Sequence, residues 1–264
     1  MGVAAVGILG AASLYFLWDP EKSYDPAPNT ATSAITVETL EQASESRVFF
    51  GHMSVGNNVL SGVSEVYAAK GVTGPKVVEI PVGGSVPTKA GEGALVHALI
   101  GQNGHPRVKL ANFDSTLRSG VADQVDVALI KFCYVDIRWN TDVDALFAEY
   151  KQTMAGLERD FPDVRFLHAT APLTVGPEGI KDHIKLVLGR DDNAARSRYN
   201  ALIRSNFDDD QVFDLAAVEA TAPDGETLPS LYPGYSSDGE HLNASGASKA
   251  AVLLLETVAQ SGRA

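Results

Sequence analysis

Two short segments near opposite ends of the chain carry the residue types of nucleophilic catalysis. In Phe50-Gly51-His52-Met53-Ser54-Val55-Gly56-Asn57-Asn58 a serine stands where an apolar run gives way to helical spacing. A serine on such a strand-to-helix turn holds its hydroxyl at the carboxyl end of a sheet, beside helix amides that favour an anion. Serine is also a favoured helix N-cap, so this segment alone has a purely structural explanation. In Ser237-Asp238-Gly239-Glu240-His241-Leu242-Asn243 an aspartate precedes a histidine by three residues, just ahead of the last helical stretch. Across a short loop that spacing lets Asp238 bond Nδ1 of His241, fix its tautomer and leave Nε2 free to accept a proton. A solvated turn would explain that segment too. Taken together, Ser54, His241 and Asp238 have the residue types and spacing that a nucleophile, a base and an orienting carboxylate of acyl transfer would need.

The elements that must bring them together alternate short β-like runs with amphipathic helical stretches, the pattern of an α/β domain with a mostly parallel sheet. Strands are expected at 47–50, 76–81, 125–132, 164–169 and 211–215, and helices at 55–70, 142–160, 193–206 and 244–259. Residues 125–132 are apolar except near their ends, as a strand covered on both faces requires. The stretch 90–119, rich in Gly, polar residues and His, reads as a long connection that covers the site. One domain over residues 40–264 is the economical division.

With the serine after the first strand and Asp-x-x-His before the last helix, the chain resembles the SGNH (GDSL-like) hydrolases. Asp238-Gly-Glu-His241-Leu-Asn followed by Gly246 carries the likeness, with Gly51-His-Met-Ser54-Val-Gly in support. The resemblance implies a three-layer α/β/α sandwich of flavodoxin-like type and an acyl-enzyme mechanism on small or carbohydrate esters. It also implies a glycine amide facing the oxyanion, which falls in Val82-Gly83-Gly84-Ser85, on Gly84 or Gly83. The family's Gly-x-Asn-Asp corresponds to Cys133-Tyr134-Val135-Asp136, so Val135 stands where an oxyanion-binding asparagine is expected. Tyr134, Asn57 or Asn58 are the candidates to replace that donor. Two other functions fit the same residues: a polysaccharide O-acetyltransferase, and a carbohydrate-binding homologue whose catalysis is impaired. Cys133 reads as a buried, inert thiol, and Asp136 with Arg138 as an ion pair lining the site.

Composition narrows the rest. Lys and Arg number 21 against 33 Asp and Glu, a formal charge of -12. That field repels polyanions, and no nucleic-acid partner is expected. Cys133 is the single cysteine, so no disulfide forms within the chain. The histidines show no metal-type spacing, no Gly-Lys-Ser/Thr phosphate loop follows the glycines, and no Rossmann fingerprint is found, so neither metal nor cofactor is expected. Residues 2–18 are uncharged and mostly apolar and as a helix would span about 25 Å, near the lower limit for a bilayer. They read as an anchor or export signal, followed by a Pro-rich linker over 19–39 with order beginning near Thr36. An exported or membrane-anchored protein is expected.

Overall fold

A computed structural model describes residues 21–87 and 93–261. The apolar segment 2–18 lies outside the described residues, and among those described no helix is long and apolar enough to cross a membrane.

Six parallel strands form one sheet: β1 (Arg47–His52), β2 (Lys76–Glu79), β3 (Ala94–Leu99), β4 (Val127–Ile130), β5 (Arg165–Ala169) and β6 (Val212–Phe213). Their order is β2-β3-β1-β4-β5-β6, every pairing parallel. Side chains alternate between the two faces with period two. Val48, Phe50, Leu95, Leu129 and Leu167 therefore enter one core, and Phe49, Val96, Ala128, Ile130 and Phe166 the other. The first core is covered by α1 (Ala31–Ala34), α2 (Val37–Glu45), α3 (Val55–Lys70) and, later in the chain, the last helix; the second by α4 (Pro106–Thr116) and α5 (Val143–Asp160). The helices α6 (Gly179–Val187), α7 (Asp192–Asn206), α8 (Leu215–Ala220) and α9 (Ala244–Ser261) complete a three-layer α/β/α sandwich. Of these, α7 adds Tyr199 and Ile203 to the second core, whereas α6 buries none of its residues.

The expected strands and helices are present with shifted ends. The stretch 90–119 is the main departure: it holds β3, a buried central strand, and α4, so it is sheet and core rather than a covering connection. Residues 21–30 have no regular structure, as their prolines require, but they are tied down. The Ala27 N–H donates to Gly234 O at 2.8 Å, and the Ser245 hydroxyl donates to Pro28 O at 3.2 Å. Helices α3 and α9 cross closely because Gly62 has no side chain: a Cβ there would lie 2.2 Å from the carbonyl oxygen of Ala247. That crossing fixes the serine end of α3 relative to the loop that leads into α9.

Candidate active site

Strand order decides where a ligand can sit. From β1 the chain turns outward to β2 and β3, and from β4 it turns the other way to β5 and β6. In open parallel sheets the crevice beyond the carboxyl ends at such a reversal binds ligands, because the flanking loops part there. Ser54 follows β1, and Cys133 follows β4. Their side chains meet across the crevice, Oγ to Sγ at 3.5 Å.

Ser54 is the first link to α3, and its backbone is unusual. With φ 20° and ψ -85° it is the single non-glycine residue at positive φ among the described residues. Such conformations cost about 1–3 kcal/mol and persist where the surroundings impose them. The surroundings here are explicit. The imidazole of His52 is fully buried under the start of α3, and a Cβ on Gly56 would lie 2.3 Å from that ring. Glycine at 56 lets the helix close on His52, with the sharp turn at Ser54 between them. Its side chain makes no N-cap bond, so the capping explanation does not account for the residue.

His52 is not a competing base. Its Nε2 lies 3.1 Å from Nδ1 of buried His97, and burial, with the Lys131 and His97 charges adding to it, lowers its pKa to about 3. It is a neutral packing element at working pH.

The other half of the site is the loop before α9. Oδ1 of Asp238 accepts the N–H groups of Glu240 at 2.8 Å and His241 at 2.7 Å, while Oδ2 lies 2.8 Å from Nδ1 of His241. Burial alone would raise the Asp238 pKa, but the bonds from the His241 backbone and ring and from Glu240 outweigh it and hold it below the ordinary value. The carboxylate therefore stays charged, fixes the imidazole and leaves Nε2 unclaimed. The loop itself is locked: the Ser236 hydroxyl donates to His241 O at 2.6 Å, and Asn243 Oδ1 accepts the Gly246 N–H in the first turn of α9 at 3.1 Å.

Tyr134, next to Cys133, links the halves. Its ring meets the His241 ring edge-on at 5.7 Å, and its hydroxyl donates to Glu240 Oε2 at 2.7 Å. Ser54 thus packs on Cys133 and His241 on the neighbouring residue. No direct Ser54–His241 hydrogen bond is formed among the described residues.

The remaining expected donors fare differently. Gly83 and Gly84 follow β2, at the sheet edge, and β3 separates them from β1. Their amides are already spent, Gly83 on Thr116 Oγ1 at 3.1 Å and Gly84 on Pro81 O at 2.9 Å. The Tyr134 hydroxyl is committed to Glu240. Asn57 is exposed in the first turn of α3, its N–H donating to Ser54 O at 2.8 Å, and Asn58 Oδ1 is buried without a partner.

The loop adjoining β1 is instead Gly101-Gln102-Asn103-Gly104, after β3. A buried ion pair organises it. Lys109 Nζ and Asp136 Oδ2 are 2.6 Å apart with both side chains fully buried. Asp136 also accepts the Cys133 N–H at 2.6 Å and the Gly104 N–H at 2.8 Å, and Lys109 donates to Asn103 Oδ1 at 2.9 Å. Asp136 thus pairs with Lys109 and not with Arg138, whose side chain donates to Val135 O. An ammonium has only donors, so it holds the oxygen of Asn103 and leaves that residue's NH₂ without a partner among the described residues. The signal for this network was a lysine at a core position of α4, four residues before buried Phe113.

Beside Tyr134 and Glu240 opens a cleft of about 250 Å³, walled by the loop 135–138, residues 174–177, α6 and the start of α7. Among the described residues no group of three or more His, Cys, Asp or Glu side chains is placed to hold a metal ion.

No family model matches the sequence, and no curated protein matches it either. Solved structures do. One is a protein from Streptococcus pneumonia provisionally described as a platelet activating factor, at 13% identity and a TM-score of 0.49, covering 98% of this chain and 100% of that one. Another is the periplasmic domain of a lipopolysaccharide acetyltransferase from Salmonella ser. Paratyphi A, at 11% identity and a TM-score of 0.45, covering 94% of each chain. At such identity the chemistry must be argued from this chain's own residues.

Proposed function

We propose that this chain is a serine-dependent ester hydrolase acting through an acyl-enzyme. The observation that carries the reading is the Asp238–His241 bond of 2.8 Å, across Tyr134 and Cys133 from a backbone-strained serine in the sheet's crevice. Ser54 Oγ attacks the ester carbonyl carbon as its proton passes to His241 Nε2, and Asp238 stabilises the resulting imidazolium. The tetrahedral intermediate collapses, the carbon–oxygen bond to the alcohol breaks, and His241 returns the proton to the leaving oxygen. Water then repeats the sequence on the acyl-serine and releases the acid. The oxyanion is held by the Ser54 N–H and by the free NH₂ of Asn103, which takes the part that Val135 cannot play.

An open cleft beside Tyr134 and Glu240 favours a second reading of the same site, in which a sugar hydroxyl replaces water and the protein is an O-acetyltransferase. Product analysis with acceptor sugar present separates the two.

The test is labelling by a fluorophosphonate with p-nitrophenyl acetate turnover measured in parallel. The adduct is expected on Ser54, and Ser54→Ala is expected to lose both label and turnover. Asn103→Ala should keep the label and lose about 10²-fold in kcat. Turnover that survives in Ser54→Ala would remove Ser54 as the nucleophile.

A further inference from the structure

The cleft beside Tyr134 and Glu240 has a charge balance opposite to that of the molecule. The chain as a whole carries -12. Five cationic side chains and four acidic ones line the cleft, and each acid is already engaged. Asp182 pairs with Lys185 at 2.7 Å, and Asp191 caps α7 by accepting the Ala194 N–H at 2.9 Å. Asp192 accepts the Trp139 N–H at 2.9 Å, and Glu240 accepts the Tyr134 hydroxyl at 2.7 Å.

The arginines at the mouth are not so engaged. Arg138 donates to the Val135 carbonyl and has no acidic partner among the described residues. Arg190 lies over the exposed indole of Trp139 at 5.2 Å, also without an acidic partner there. Beneath them Arg196 is almost fully buried, held by the Tyr134 carbonyl at 2.9 Å and Asn193 Oδ1 at 2.6 Å. Burial disfavours the charged form of Arg196 and the Arg138 charge adds to that, against the charges of Asp192, Glu219 and Glu240; Asp192 pairs with it at 3.8 Å. An anion at the mouth would meet the two guanidinium groups, of Arg138 and Arg190, that have no acidic partner among the described residues. Paired N–H donors on a guanidinium match a carboxylate fork.

Building on the esterase reading of Ser54 and His241, we propose that this cleft binds a carboxylate on the alcohol portion of the ester, so that the substrate is an O-acylated acidic sugar. Arg138 and Arg190 hold the carboxylate, and the acylated hydroxyl is presented toward His241.

The experiment compares kcat/KM for an O-acetylated glucuronate oligosaccharide with that for an O-acetylated glucose oligosaccharide. The wild-type protein should favour the acidic substrate by about 10-fold or more, through KM, and raising salt should erode that preference. In Arg138→Gln and Arg190→Gln the acid-to-neutral ratio should fall by about 10-fold. Equal rates on both substrates, or variants that slow both by the same factor, overturn the proposal. A preference for a phosphorylated sugar over the glucuronate would overturn the carboxylate assignment. Titration calorimetry with the deacetylated glucuronate oligosaccharide keeps the two readings separate. Binding that weakens in the arginine variants of a protein without ester turnover would refute the esterase and keep the subsite. Turnover without charge preference and without binding would do the reverse.

Discussion

At the scale of single residues the site rests on two local arrangements that differ in how openly the sequence displays them. The Asp238–His241 pair is an i,i+3 contact inside one loop, so residue type and spacing were enough to find it. Ser54 was legible from a strand running into a helix, but the packing around its strained turn was not. Beside that turn lies the His52 ring beneath Gly56, buried only once the sheet and α3 enclose it. The strain makes a prediction. Glycine tolerates positive φ at little cost, so Ser54→Gly should abolish ester turnover yet raise stability by about 1 kcal/mol. A urea midpoint that rises with unchanged slope would bear this out, and a fall would mean the turn is relaxed.

At the scale of elements, the strands beside β1 decide which loop can serve the oxyanion. Gly83-Gly84 follow a strand, as the resemblance asked, but β3 lies between that strand and β1. Strand order depends on pairing between distant segments, which no local pattern encodes. β3 is a six-residue run, apolar except for His97, set among glycines and polar residues that mask it. The partner of Asp136 was likewise not Arg138, two residues on, but Lys109, reached only once α4 packs on the sheet. That pair ties β4's end to α4 and to the loop holding Asn103. Lys109→Met should cost about 3–5 kcal/mol by leaving a buried carboxylate without its cation, read as a lower denaturation midpoint. A loss below about 1 kcal/mol would show that the pair is not the buried link described above.

At the scale of the whole molecule, three buried groups with large shifts dominate the dependence of stability on pH. Burial, reinforced by Lys131 and His97, lowers the His52 pKa to about 3, and burial alone lowers that of His168 to about 3. Burial raises Glu219 to about 8, against the opposing bond from the Leu173 N–H and the charges of Lys131 and Arg196. Between pH 3 and the ordinary histidine value of 6.5 the unfolded chain binds protons at positions 52 and 168 that the folded one refuses. Each histidine therefore withdraws about 1.4 kcal/mol per pH unit as pH falls through that window. Glu219 acts in reverse, holding a proton in the folded state from its ordinary 4.5 up to about 8, so its contribution is lost as pH rises. Below pH 6.5 the histidines, with buried His97 lowered in the same direction, outweigh the glutamate, and above it Glu219, with Glu256 raised in the same direction, dominates. Stability from denaturant titrations should peak at about pH 6.5. A continued rise to pH 8 would mean that Glu219 is ionised in the fold.

In the proposed mechanism, segments almost the full length of the domain apart act as one catalytic unit. Ester turnover in Ser54→Ala, His241→Ala and the double variant measures it directly. Residues of one unit lose nothing further once the first is gone, so all three proteins should fall to the same low rate. Losses that multiply in the double variant, or a His241→Ala protein that keeps most of its turnover, would contradict the account.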